Sequence, residues 1–225
     1  MKKNNLIIGF DFSIDKPACC VMGKDNFHKF LIWPLKLTKV EKDVYENNID
    51  DIQCYCRDKK AISKSGEVSS SAMTLEHTTR SINLANLIIQ SLDKVIEEYG
   101  EYDDLYVVTE GLSFNSKGNS TLDLATYKGV LLAKLYEHYS LNGMYTYGPL
   151  SIKSIAGCAT KDKKSDKHAM INAFMDTDIE SVFKDKLIAK EMFNSKGKEY
   201  LHCVDDLVDS YWACITLMKK ENIEL

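Results

Sequence analysis

Leu6-Ile7-Ile8-Gly9-Phe10-Asp11 is an apolar run closed by a carboxylate. A short apolar run with turn-forming residues on either side reads as a buried strand. The same design returns at Leu105-Tyr106-Val107-Val108-Thr109-Glu110. Two buried strands that each end in an acid decide the class of fold. In an α/β sheet, sites lie beyond the carboxyl ends of the strands, where neighbouring strands are connected in opposite directions. If the two strands lie side by side, Asp11 and Glu110 meet there.

Working outward, Ala18-Cys19-Cys20-Val21-Met22 is a second apolar run and Gly23-Lys24-Asp25-Asn26 reads as a tight turn. Residues 27–35 return as a third strand, so the chain opens as an antiparallel meander. Residues 36–76 are rich in Lys, Asp, Asn and Ser and read as an insertion or long loop, not a separate domain. Ile82, Leu84, Ala85, Leu87, Ile88, Leu92, Val95 and Ile96 then mark a helix that stops near Gly100. Ser120 can cap a long helix that runs to about residue 140. A short strand at 144–147, helices at 151–158 and 166–175, a polar Lys-rich connection at 176–200 and a last helix at 203–219 complete the order. The expectation is an α/β chain in one domain spanning 1–225, with a five-stranded mixed sheet flanked by helices on both faces.

With 225 residues, 44% of them hydrophobic, the chain can bury a sizeable core. Its 7 cysteines are odd in number and irregularly placed, which argues against a disulfide framework. Cys54-x-Cys56 has no second pair at zinc-finger spacing, so the cysteines read as buried or incidental. The apolar run at 6–10 is too short for a signal-peptide core, and no stretch is long enough to span a membrane. A soluble, cytoplasmic protein is expected. The net charge of -4 argues against an indiscriminate nucleic-acid binder. It does not exclude an enzyme acting on DNA, because an acidic site lowers the total while a local lysine patch faces phosphate.

The last helix carries Val204-Asp205-Asp206-Leu207-Val208-Asp209. Asp206 and Asp209 are three apart, Asp205 and Asp209 four apart, so all three acids share one helix face. Small Ala213 and Thr216 continue that face, while Leu207, Tyr211, Cys214, Ile215 and Met218 take the other side. Carboxylates that converge raise one another's pKa unless cations neutralise them. An all-oxygen set suits Mg²⁺ or Mn²⁺. Two such ions roughly 3.5–4 Å apart can activate a water and stabilise a leaving oxygen in phosphodiester hydrolysis. No Ser, Cys or His arrangement reads as a nucleophile with its base, and no organic cofactor is implied. Taken singly, each acid also reads as a turn or cap residue, and Asp205 and Asp206 as charges favouring a helix N-terminus. Residues 151–167 carry Lys153, Lys161, Lys163, Lys164 and Lys167 against Asp162 and Asp166, which reads either as a phosphate-holding patch or as a solvated loop. His28, His77, His138, His168 and His202 are scattered, with His202 beside the acidic helix.

In this order the motifs resemble the RuvC-type Holliday junction resolvases of the ribonuclease-H and retroviral-integrase superfamily. IIGFDFS is similar to the family's opening strand and VVTEGLSF to its second motif. NSTLDLATYKGVLLAKLYEHY, with its Lys128-Gly129 step, resembles the helix that follows. GPLSIKSIAG and KKSDKHAMINAF resemble its Lys-bearing segments, and DDLVDSYWACI its terminal Asp-x-x-Asp helix, the doubled Asp being closest to phage and viral members.

The resemblance implies a ribonuclease-H-like fold and an endonuclease for four-way and other branched DNA. It implies two Mg²⁺ ions, for which Mn²⁺ can substitute, and a homodimer matched to the twofold symmetry of the junction. Asp11, Glu110, Asp206 and Asp209 match the family's metal-binding acids, with Asp205 an alternative or outer ligand. Lys153 and Lys164 match lysines near the scissile phosphate, Lys164 with a catalytic role. Phe114 lies near an aromatic inserted at the junction centre, although Gly111-Leu112-Ser113 makes the spacer one residue longer. Lys128, Lys161, Lys163 and Lys167 complete the expected DNA contacts. The helix from 120 to 140 is either a dimer element or monomer core. Related readings are a DNA-packaging or RNA–DNA hybrid nuclease of the same fold and a non-catalytic junction-binding module. An actin-like ATPase is a further class, against which DFSIDK lacks the glycine-rich phosphate turn.

Overall fold

The computed structural model describes residues 3–47, 49–57, 70–112, 119–159, 167–194, 197 and 199–225. The opening meander is β1 (Asn5–Asp11), β2 (Ala18–Met22) and β3 (His28–Ile32). Between β2 and β3, Asp25 and Asn26 both take left-handed backbone, with φ of 56° and 58°. Asp and Asn tolerate that region, and its twist matches antiparallel strands. Next come α1 (Lys39–Asn47), β4 (Ile52–Cys54), α2 (Ser70–Tyr99) and β5 (Asp104–Glu110). Then follow α3 (Asn119–His138), β6 (Gly143–Tyr147), α4 (Pro149–Ile155), α5 (Lys167–Met175), α6 (Val182–Ile188) and α7 (Val204–Glu221).

Among the described residues the strands form one sheet in the order β4-β3-β2-β1-β5-β6. β1 pairs antiparallel with β2, and β2 with β3. β5 runs parallel to both β1 and β6. This is the expected mixed sheet, with a sixth strand, β4, added parallel to β3 at the edge.

Alternation along the strands sorts side chains onto two faces. Leu6, Ile8 and Phe10 pack with Leu84, Ile88, Leu92, Leu131 and Leu135 of α2 and α3. Ile7 and Val108 point the other way, into a layer with Ile152, Phe174, Leu207, Val208 and Cys214 of α4, α5 and α7. Asp11 keeps the parity of Ile7, and Glu110 that of Val108. Both carboxylates therefore belong to the face covered by α7.

α7 departs from its expected two-sided pattern. Asp206, Ser210, Ala213 and Thr216 are buried together with Leu207, Tyr211 and Cys214. The helix lies across the middle of the sheet and is enclosed on most sides, so small residues are needed where it meets strands. Gly9 shows how closely. A Cβ there would stand 2.5 Å from both Cys214 Sγ and the Ser210 carbonyl oxygen.

The stretch 36–76, expected as an insertion or loop, contains α1, β4 and the start of α2, and residues 58–69 lie outside the described residues. Short elements with a polar sequence are fixed here by tertiary contacts. Tyr45 of α1 is buried against the α7 layer. Asp51 accepts from Ser181 Oγ at 2.5 Å and from Phe183 N at 3.1 Å, tying the turn before β4 to the start of α6. The connection 176–200 correspondingly includes α6 and an isolated bridge between Phe193 and Tyr200.

Candidate active site

The register of β1 on β5 places Phe10 opposite Thr109, so Asp11 and Glu110 leave the sheet side by side. The first turns of α7 bring Asp206 and Asp209 to the same place. Asp11 and Asp206 are close enough to share a proton in a side-chain hydrogen bond. Burial, then repulsion from Asp206, Asp209 and Glu110, pushes the Asp11 carboxyl well above the usual range. Burial and the neighbouring Asp205 push Asp206 up to about 6, against the pull of Lys16. Burial, then Glu110, Asp205 and Asp206, pushes Asp209 up to about 7, with Lys153 opposing. Glu110 is also raised by burial, opposed by Lys153 and Lys128. Four acids from three chain-distant elements thus share one electrostatic problem.

Two lysines of the expected set stand at its border in different ways. Lys153, in α4, is near enough to Glu110 and Asp209 to oppose the upward shift of both carboxyls without cancelling it. Lys128, expected on the DNA side, is 7% exposed. Its Nζ donates to the backbone carbonyl of Glu110, so it braces the end of β5 from beneath and does not face solvent. The reason is geometric: α3 packs on the sheet face opposite α7, and position 128 falls on its inner side beside buried Tyr127 and Leu131. Phe114, Lys161, Lys163 and Lys164 lie outside the described residues. Lys167 begins α5, and its side chain lies outside them as well.

Sequence reasoning missed Lys16. Its Nζ is 2.5 Å from Asp206 Oδ2 and 3.4 Å from Asp205 Oδ1. Burial would lower the ammonium's pKa, but Asp206 and then Asp205 outweigh it and hold it above the ordinary lysine range. A single loop lysine five residues after a strand-end acid carries little signal by itself. His202 serves through its backbone, with its N–H donating to Glu41 Oε1 at 3.0 Å and its carbonyl accepting from the Tyr45 hydroxyl.

No family model matches the chain, and no curated protein matches it. Solved structures do resemble it. Thermus thermophilus RuvC in complex with a Holliday junction substrate is 12% identical at a TM-score of 0.47, covering 96% of this chain and 95% of that one. A second Thermus thermophilus RuvC structure is 13% identical at 0.40, covering 97% of each chain. The yeast mitochondrial Holliday junction resolvase is 15% identical at 0.44, covering 97% of this chain and 80% of that one. At such identities and scores, the chemistry has to be read from the chain's own residues.

Those residues fit a hard divalent cation by donor chemistry: all oxygen, all acidic and mutually repelling. Among the described residues, no three His, Cys, Asp or Glu side chains stand in the arrangement that a bound metal ion needs. The donor set points to the ion, and a preformed cage does not. No helix among the described residues is long and apolar enough to cross a membrane.

Proposed function

We propose that this chain is a metal-dependent endonuclease of the RuvC type that resolves four-way and other branched DNA junctions in the cytoplasm. The observation that carries the reading is the convergence of Asp11, Glu110, Asp206 and Asp209, from β1, β5 and α7, at the carboxyl ends of two parallel strands. Burying four carboxylates together disfavours the folded state unless a cation uses them. Asp11, Glu110, Asp206 and Asp209 would hold two Mg²⁺ or Mn²⁺ ions, with Asp205 an alternative or outer ligand. Bound divalent ions supply an activated water and charge stabilisation for phosphodiester hydrolysis.

The chain's own residues do the rest. Asp11 and Asp206 are where the two arms of the site, the ends of β1 and β5 and the start of α7, come together. Lys128 pins the carbonyl of Glu110 and so the end of β5. Lys153 meets the scissile phosphate from α4, with Lys164 as its catalytic partner. Lys161, Lys163 and Lys167 hold flanking phosphates, and Phe114 reaches the junction centre. Phosphate contacts of this kind position the substrate without reading its sequence. A homodimer supplies two sites related by a twofold axis, as paired symmetric nicks require. The outer side of α3 is suited to that contact. Leu122, Thr126, Gly129, Ala133 and Tyr136 form one exposed stripe at helical spacing.

The test is incubation of the purified chain with a labelled four-way junction, with Mg²⁺, with Mn²⁺ and with chelator, beside an Asp206→Asn variant. Paired nicks that need the ion and vanish in the variant are expected. Preference for linear duplex or RNA–DNA hybrid would move the assignment to another nuclease of this fold. Junction binding without cutting under any divalent ion would leave a non-catalytic module.

A further inference from the structure

We propose that Lys16 is a tethered cation that competes with the divalent ion for Asp206 and so sets the ion concentration at which the site loads. The inference rests on the metal-dependent reading above and concerns a residue outside the expected ligand and DNA-contact sets.

The first observation is placement. Lys16 Nζ bridges Asp206 Oδ2 at 2.5 Å and Asp205 Oδ1 at 3.4 Å. Its side chain is 25% exposed and that of Asp206 is 8% exposed. The pair is therefore shielded from solvent screening to a degree that surface ion pairs are not. Asp206 is also the carboxylate within hydrogen-bonding reach of Asp11. Lys16 thus neutralises the acid that links the two arms of the site.

The second observation is that the loop aims Lys16. Its own N–H donates to Ser13 Oγ at 3.1 Å. On either side, Leu35 N donates to Asp15 O at 2.7 Å and Trp33 N to Pro17 O at 3.0 Å. Arg57 Nη2 donates to Ile14 O at 2.6 Å, so the polar stretch after β4 also braces this loop. Pro17 fixes the backbone immediately after Lys16. With the backbone on both sides held, only the side-chain torsions of Lys16 remain to be ordered when its ammonium docks. Such a contact persists instead of averaging out as flexible surface pairs do.

One carboxylate cannot serve an ammonium and a divalent ion fully at once. Lys16 has to release Asp206 before that oxygen can ligate an ion, and it then stays nearby as a like charge. It stabilises the unloaded chain and weakens loading by the same contact, which is the reciprocity that linkage demands.

The experiment measures Mn²⁺ binding to the full chain by the electron paramagnetic resonance of free Mn²⁺, together with thermal melting in chelator and in Mn²⁺. It compares wild type with Lys16→Met, Lys16→Gln and Lys16→Arg. The expected result is roughly tenfold tighter Mn²⁺ binding in Lys16→Met and Lys16→Gln, in line with usual coupling between sites. Both should melt lower than wild type in chelator and gain more from Mn²⁺, while Lys16→Arg tracks wild type. Lys16→Gln keeps a hydrogen-bond donor and decides the matter if Lys16→Met does not fold. Unchanged or weaker Mn²⁺ binding in the folded neutral variants overturns the proposal, and lost cleavage at unchanged affinity would make Lys16 a phosphate contact instead. Failure of wild type itself to bind Mn²⁺ would overturn the metal-dependent reading and this inference with it. Binding by wild type with no change in the variants would overturn the inference alone.

Discussion

Asp209 stands at about 7 and Asp206 at about 6, against an ordinary aspartate near 3.8. Burial is the first cause in both, and repulsion from neighbouring acids adds to it. The sign for stability follows from proton counts. Between about pH 4 and pH 7 the folded chain keeps protons that the unfolded chain has released, so raising the pH through that window disfavours the fold. Asp51 and Glu41 are shifted the other way, and their contributions fade only as the pH falls below about 4. In chelator, the melting temperature of wild type should therefore fall between about pH 5 and pH 7.5, and Asp209→Asn should flatten the fall. Parallel curves for the two proteins would mean that Asp209 titrates normally. Lys128 makes a second residue-scale prediction. Lys128→Met leaves the Glu110 carbonyl without its donor and should lose about 1–3 kcal/mol in urea unfolding. A lysine whose job was only to touch DNA would leave stability unchanged and flatten the salt dependence of binding. The convergence of the four acids was legible because acids at strand ends and at helical spacing carry a pattern. Lys128 was not, because helical periodicity in α3 does not say which side meets the sheet. Lys16 was not, because a lone loop lysine has no period at all.

Among the elements, α7 supplies two of the four converging acids, Asp206 and Asp209. Its acids meet Asp11 only because Gly9 lets the helix lie directly on β1, with Cys214 and the Ser210 carbonyl where a side chain would be. Gly9→Ala places a methyl against helix backbone that cannot swing aside. The cost should be about 1–3 kcal/mol by overpacking. Because the displaced helix carries Asp206 and Asp209, Mn²⁺ affinity should fall in the same variant, unlike a core change remote from the site. Urea unfolding and Mn²⁺ titration check the two halves, and lost stability with unchanged affinity would show that α7 yields without carrying its acids away. The start of α7 is also held from outside. Cys203 precedes the helix in left-handed backbone, with φ 74°, and Glu41 and Tyr45 of α1 grip His202 just before it. These contacts explain which elements the sequence revealed. β1 and β5 are continuous apolar runs, and α2 shows a long helical period, so local pattern and tertiary role agree. The elements α1, β4 and α6 are short and polar, and single anchors such as Tyr45 and Asp51 fix them. Propensity over so few residues carries too little signal to be read.

The whole molecule has two covered sheet faces, yet one outer helix surface is left apolar. α3 sends Tyr127, Leu131 and Leu135 into the layer shared with α2. On its far side Leu122 is 68% and Tyr136 72% exposed, with Thr126, Gly129 and Ala133 exposed between them. Small residues flanked by large ones let a second helix approach closely, and among the described residues a Cβ on Gly129 would meet no other element within 4 Å. The twofold symmetry proposed for junction cleavage requires a second copy somewhere, and this stripe is the element suited to it. Ala133→Arg tests that assignment cleanly, because position 133 is exposed and exposed helix substitutions usually shift stability by less than about 0.5 kcal/mol. A long charged side chain at the centre of the stripe should turn a dimer into a monomer in sedimentation. It should leave Mn²⁺ binding at each site unchanged and replace paired nicks by single, uncoordinated ones. If the variant sediments as wild type does, α3 is not the contact, and the twofold axis must pass through another surface. If wild type is itself monomeric at micromolar concentration, the second copy must be recruited by the junction, and the same variant should then lose cooperative binding to four-way DNA while retaining its contact with a single arm.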